Sequence, residues 1–142
     1  MKQLLSIIIP AYNEEQRLGL NLGSVLDYLN TYSPNYELII VDDGSTDNTA
    51  KIVTQTIAKN SRAQLITYRP NRGKGYAVRA GVLASQGDPV LFMDADLSTP
   101  LSEVSRILKF LHGVDIVIGS RAQPKSQINK RPPLFLRLAS FI

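Results

Sequence analysis

The sequence predicts an α/β domain with a mostly parallel central sheet, and three observations carry that prediction. Short apolar runs alternate with stretches of helical periodicity, each run is closed by a polar turn cluster, and no repeat or low-complexity segment breaks the order. Strands joined through helices run parallel, with right-handed crossovers. A chain of 142 residues forms one domain at most and can bury a sizeable core. With 44% hydrophobic and 20% charged residues, it has the composition of a soluble globular protein.

Leu4 to Ile9 is an apolar run broken only by Ser6 and closed by Pro10, as expected of a strand buried on both faces. Ala11-Tyr12-Asn13-Glu14-Glu15 turns into a helix over about 14–31, with Asn13 as N-cap and acids in its first turn. Leu18, Leu22, Val25, Leu26 and Leu29 form its core stripe. After the turn Ser33-Pro34-Asn35, a second strand, Tyr36 to Val41, stops at Asp42-Asp43-Gly44-Ser45-Thr46-Asp47. A helix runs from there to about Asn60, and Ser45, Thr46 and Asp47 are natural capping residues. Gln64 to Tyr68 is the third strand, 69–75 a loop, and a helix follows to about Ser85. Val90 to Met93 is the fourth strand. Thr99-Pro100 starts a helix striped by Val104, Ile107, Leu108 and Leu111. Val114 to Ile118 reads as a fifth strand, and 134–142 as a short helix beyond Pro132-Pro133.

Composition excludes several chemistries. Without cysteine there are no disulfides, thiolate metal sites or cysteine nucleophiles. His112, the one histidine, rules out a multi-histidine metal site and reads as a surface residue near a helix end. No signal peptide or membrane-length apolar run is present, so a cytoplasmic location is the expectation. The net charge of +4 resides in the tail, since residues 121–142 carry +5 and residues 1–120 carry −1. No nucleic-acid-binding motif accompanies it. A basic segment followed by Leu134-Phe135-Leu136-Arg137-Leu138 suits an anionic membrane surface or phosphate, or else a solvated tail.

The chemistry centres on Asp94-Ala95-Asp96. Two carboxylates follow the apolar run Val90 to Met93, and in an extended segment they would point the same way. Acids converging at the end of a buried strand repel each other unless a cation joins them, and a divalent ion holding a phosphorylated ligand would do so. Two solvated acids at a strand end fit the triplet equally well. The other polar clusters shift that balance. Tyr12-Asn13-Glu14, Asp42-Asp43, Arg72-Lys74, Asp94-Asp96 and Arg121 all follow strand ends, where parallel sheets bind their ligands. Gathered on one rim, they offer acids for a metal and a base or ribose, and cations for phosphate.

Ser6 to Glu14, Val41-Asp42-Asp43-Gly44-Ser45-Thr46-Asp47 and Asp94-Ala95-Asp96 resemble the successive signatures of family 2 glycosyltransferases of GT-A fold. The resemblance covers about residues 4–121. The pattern Asn71-Arg72-Gly73-Lys74-Gly75-Tyr76-Ala77-Val78-Arg79-Ala80-Gly81, with Asp94 to Pro100, is most similar to dolichyl-phosphate glucosyltransferases, with dolichyl-phosphate mannose synthases close behind. It implies a three-layer, Rossmann-like donor domain over 1–121, and a basic, apolar tail at 122–142 that begins an acceptor-side region and is cut short. It further implies inverting transfer of a hexose from a nucleotide sugar (UDP-glucose or GDP-mannose type) to a polyprenyl phosphate, at the cytoplasmic face of a membrane.

By motif, Pro10, Tyr12, Glu14, Val41 and Asp43 would bind the nucleoside, with Asp43 accepting from the base and Asp42 structural. Lys74 would approach the sugar or diphosphate. Asp94, Ala95 and Asp96 would serve the donor sugar and the diphosphate, with Mg²⁺ or Mn²⁺ on Asp96 and Asp94. Mannose synthases place a glutamine at the position of Ser98, and serine is a weaker third ligand. Arg121 would pair with phosphate, and Arg121, Arg131 or Arg137 would clamp the acceptor phosphate. A family 2 enzyme acting on a polysaccharide is the alternative. A receiver-like signalling domain is a distant one, because its acid pair should follow the first strand. A P-loop and a dehydrogenase fail for want of their glycine motifs.

Overall fold

A computed structural model describes residues 4–32 and 35–119. In chain order the elements are β1 (Leu5–Ala11), α1 (Glu15–Tyr32), β2 (Tyr36–Asp42), α2 (Thr49–Ile57), β3 (Ala63–Thr67), α3 (Lys74–Ala84), β4 (Val90–Phe92) and α4 (Ser102–Lys109). The chain divides into two compact units, Met1–Glu103 and Val104–Ile142.

In the first unit the four strands form one sheet in the order β3-β2-β1-β4, with every pairing parallel. The two longest apolar runs take the two central places, where both faces are covered. Ile7, Ile8, Ile9, Leu38, Ile39, Ile40 and Val41 are all at most 1% exposed. Alternation along the strands sends Ile8, Ile39 and Val41 to one face, where they pack with Ala77 of α3. The chain steps from β1 to β2 to β3 in one direction and from β3 to β4 in the other. Right-handed crossovers therefore place α1 and α2 on one face and α3 on the other. Gly81 lets α3 settle close, because a Cβ there would lie 2.4 Å from the Ile8 Cγ2 methyl. At the amino ends of the strands, Glu37 Oε1 accepts from the Ser6 hydroxyl (2.5 Å) and from the amides of Gln86 (2.6 Å) and Gly87 (3.1 Å).

Three expectations change. β4 is short and pairs only with β1, so Val90 and Phe92 are 42% and 54% exposed. It is an edge strand among the described residues, not one buried on both faces. Asn13 is not the N-cap of α1; its φ of 53° places it in the left-handed region that asparagine tolerates. The segment Val114 to Ile118 forms no strand. An apolar run becomes a strand only where a neighbouring edge takes up its N–H and C=O groups. The Val114 amide instead closes a turn on the Leu111 carbonyl (3.4 Å), and Ile116 and Ile118 are 77% and 82% exposed. In the second unit, α4 ends at Lys109, and His112 lies exposed in the turn that follows.

Candidate functional site

The loops after β1 and β2 are stapled to each other by their own motif residues. Asn13 donates its amide to Ser45 Oγ (2.9 Å) and accepts the Thr46 amide on Oδ1 (2.9 Å). The first amides of α1 are satisfied from the neighbouring loop: Glu14 N–H by Thr49 Oγ1 (2.8 Å) and Glu15 N–H by Asp47 Oδ2 (3.2 Å). Asp47 Oδ1 also accepts the Thr49 amide (2.9 Å) and hydroxyl (2.5 Å), so one carboxylate serves the starts of α1 and α2. Glu15 Oε2 returns the favour to the Asn48 amide (2.9 Å). Burial works to raise the Asp47 pKa, but the hydrogen bonds from Thr49 and Glu15 outweigh it and hold the carboxyl below its ordinary value. Asp42, buried, accepts the Ser45 amide (3.1 Å).

This stapled rim borders a cleft of about 470 Å³ at the carboxyl ends of the strands. It opens between β1 and β4, the point where the strand order reverses and open α/β sheets bind ligands. Pro10, Ala11, Tyr12, Glu14 and Arg17 line one side, Asp94, Ala95 and Asp96 another, and Asp43, Asn71, Gly73, Lys74 and Ala77 the remainder. Tyr12 is 47% exposed at the mouth. Lys74 Nζ donates to Asp94 Oδ1 (2.5 Å) across the cleft, with both side chains about half exposed. Arg17 pairs with Glu14 at 2.9 Å. Asp96 Oδ1 accepts the Ser98 amide (2.9 Å), and Asn21 Nδ2 ties the turn to α1 through the Ala95 carbonyl (3.1 Å).

Asp43, also on the cleft, is 2% exposed. Its oxygens accept the amides of Arg72 (2.8 Å) and Gly73 (2.8 Å), and Asn71 Nδ2 donates to its carbonyl (2.9 Å). Gly44 makes this junction possible: its φ of +75° suits glycine, and a Cβ would meet the Asn71 nitrogen at 2.9 Å. The Tyr68 side chain packs edge-on to Tyr76 (5.2 Å between ring centroids), with the Arg72 guanidinium 4.8 Å from the Tyr76 ring centre. Burial first, and the neighbouring Asp43 carboxylate next, push the Tyr68 hydroxyl above the ordinary phenol range.

The structure thus brings Pro10, Tyr12, Glu14, Asp43, Lys74, Asp94, Ala95 and Asp96 to one cleft. Val41 is not with them. It is fully buried in the core against Ile8, Ile39 and Ala77, because strand alternation turns it toward α3, so its side chain is corrected from nucleoside contact to core residue. Ser98 does not line the cleft either; it contributes an amide to Asp96. Arg121, Arg131 and Arg137 lie outside the described residues. The geometry of the acid pair also differs from expectation. The backbone turns at Ala95-Asp96, with Leu97 at φ 50°, so the two carboxylates meet the cleft through a turn and not by alternation. Both are exposed, which removes the desolvation conflict expected of a buried strand end. Sequence reasoning missed Arg17, though its helical spacing from Glu14 puts the two on one face. It also gave no role to Asn21, Asn71 or Gly73.

The chain matches the model of glycosyl transferase family 2 over residues 6–139. The chain belongs to glycosyl transferase family 2. Among its relatives is a dolichyl-phosphate beta-glucosyltransferase from Dictyostelium discoideum, 42% identical over 130 residues, a match covering 83% of this chain and 40% of that one. The chain therefore spans about two fifths of that relative's length. Among solved structures, the fold is similar to the mannosyltransferase PcManGT from Pyrobaculum calidifontis in complex with GDP-Man and Mn²⁺ (TM-score 0.68, 24% identity, covering 78% of this chain and 33% of that one). It is also similar to glucosyl-3-phosphoglycerate synthase from Mycobacterium tuberculosis in complex with Mn²⁺, UDP and glucosyl-3-phosphoglycerate (TM-score 0.60, 27% identity, covering 80% and 41%).

A divalent metal in this family 2 cleft would have to rely on few protein ligands. Among the described residues, no group of three or more acidic or histidine side chains is gathered to hold a metal ion. Two carboxylates on one turn beside a cationic side chain do fit Mg²⁺ or Mn²⁺, which take one or two carboxylates and complete their shells with phosphate oxygens and water.

Proposed function

We propose that this chain forms the donor-binding part of a transferase that moves glucose from UDP-glucose to a dolichyl-type phosphate with inversion. The observation that carries the reading is the placement of Lys74, Asp94 and Asp96 together on the cleft at the sheet's switch point. A nucleoside diphosphate leaving an anomeric carbon builds negative charge on its departing oxygen, and fixed positive charge there lowers the barrier. Asp94 and Asp96 would hold Mg²⁺ or Mn²⁺, which supplies Lewis-acid stabilisation of the diphosphate when bound. Lys74, half exposed beside Asp94, would neutralise the remaining phosphate charge. Pro10, Tyr12 and Asp43 lie toward the nucleoside. The 42% identity to a dolichyl-phosphate beta-glucosyltransferase supports the choice of sugar and acceptor.

A phosphate acceptor is already ionised near neutral pH and needs no general base, only cations. Arg121 is assigned to the leaving diphosphate, and Arg131 or Arg137 to the acceptor phosphate, where arginine's bidentate geometry suits the task. No helix among the described residues is long and apolar enough to cross a membrane. The basic, apolar tail is proposed to bring the site to the cytoplasmic face of a membrane, where a lipid phosphate is presented. Calorimetry with UDP-glucose and GDP-mannose, each with and without Mn²⁺, tests the donor assignment. UDP-glucose is expected to bind in a metal-dependent manner and more tightly than GDP-mannose. The reverse order would overturn the choice of donor.

A further inference from the structure

One buried carboxylate ties the end of β2 to the start of α3. Both Asp43 oxygens are engaged by consecutive backbone amides, those of Arg72 and Gly73, each at 2.8 Å. Gly73 is the N-cap of α3, and the helix starts there with no hydrogen bond from a capping side chain. Asp43, reaching over from the end of β2, holds the amides of the N-cap residue and of the residue before it, and Asn71 Oδ1 also accepts the Gly73 amide (3.2 Å). Lys74 is the next residue and the first of α3, and its ammonium group stands on Asp94. A path of direct contacts therefore runs from Asp43, through two amides, to Lys74 and its partner Asp94.

We propose that Asp43 is a positioning residue for Lys74: by gripping the amides of Arg72 and Gly73, it sets where α3 begins and so where Lys74 meets a bound diphosphate. The inference rests on the reading of the cleft as a diphosphate site. A carboxylate that accepts two amides keeps further lone pairs, so Asp43 can also meet a base. What is new is that its influence extends to phosphate, through Lys74. The grip is strong for its size, because hydrogen bonds to an ionised acceptor in a buried setting are about twice as strong as neutral ones. Lys74 is half exposed and, among the described residues, its ammonium group is held by Asp94, so its position depends on where the helix starts.

A ligand without a base separates this role from base contact. Binding of Mn²⁺-pyrophosphate and of Mn²⁺-UDP would be measured by calorimetry for the unchanged chain, Asp43→Asn, Lys74→Met and the double variant. Asp43→Asn is expected to weaken pyrophosphate binding about tenfold when Lys74 is present, and by less than about twofold in the Lys74→Met background, a coupling typical of residues acting as a unit. A purely structural loss would cost the same in both backgrounds and would overturn the proposal. So would an Asp43→Asn chain that binds pyrophosphate normally and UDP weakly. If Lys74→Met leaves both ligands unaffected, the diphosphate reading of the cleft fails, and the inference falls with it. Amide exchange in the free, unchanged chain gives a check that needs neither ligand nor variant. The Arg72 and Gly73 amides should be protected; exchange at the rate of open loop would overturn the grip itself.

Discussion

Replacing Asp47 with alanine tests whether the paired loops are held as the structure shows. The side chain accepts three hydrogen bonds, from the Thr49 amide and hydroxyl and from the Glu15 amide, and Thr49 is fully buried. Bonds to a charged acceptor contribute a net of about 1.5–3 kcal/mol each, but these three share one carboxylate and the freed amide can recruit water. A lost helix cap typically costs about 0.5–2 kcal/mol. With two helix starts affected, the expected loss is about 2–3 kcal/mol. The folded-state pKa is depressed, so the carboxylate's contribution is fully present above the ordinary value near about 4. It fades as pH falls through the folded-state value. Urea unfolding of both chains, followed by circular dichroism from neutral pH down to below about pH 3, should therefore show a gap that is constant near neutrality and narrows in acid. A gap under about 0.5 kcal/mol at neutral pH, or one that does not change with pH, would refute the stapling account.

Two further predictions concern the core and the acids. Gly81→Ala would place a Cβ 2.4 Å from Ile8 Cγ2, in a core with no free space, and is expected to cost about 1–3 kcal/mol by overpacking; urea unfolding reads it, and a neutral result would mean that α3 is not seated as described. Asp96→Ala should remove the Mn²⁺ dependence of UDP binding in calorimetry while leaving the circular dichroism spectrum unchanged, because the side chain is exposed at the cleft. A chain unfolded by that substitution would show the carboxylate to be structural.

The sheet was legible because its centre is written in uninterrupted apolar residues. Ile7 to Ile9 and Leu38 to Val41 leave no polar face, which only a strand covered on both sides permits. The edges were not legible, because Val90-Leu91-Phe92 and the mostly apolar Val114 to Ile118, interrupted by Asp115, both read as strands and pairing decides between them. One became an edge strand and the other no strand, since sequence does not announce which edge is on offer. The rim was legible as a cluster and misread in its parts. Asn13, Ser45, Thr46 and Asp47 are cap-forming residues by type, and the sequence suggests that each caps its own helix. Asp47 does serve its own helix through Thr49, but these residues also bond across from loop to loop, at separations that no local pattern encodes. Val41 was misassigned for a simpler reason. A motif read as a string makes neighbours of Val41 and Asp43, while the strand ends at Asp42 and the turn after it leaves Asp43 at the cleft and Val41 in the core.

The central claim is that Asp94 and Asp96 hold a divalent ion against the diphosphate of a nucleotide in the cleft beside Lys74. Paramagnetic broadening by substoichiometric Mn²⁺ in the amide spectrum of the chain tests it most directly. With UDP present, the signals of residues 94–98 and of Gly73 and Lys74 should broaden first, and without nucleotide the effect at the same positions should be much weaker. Broadening centred elsewhere, or equal with and without UDP, would contradict the account.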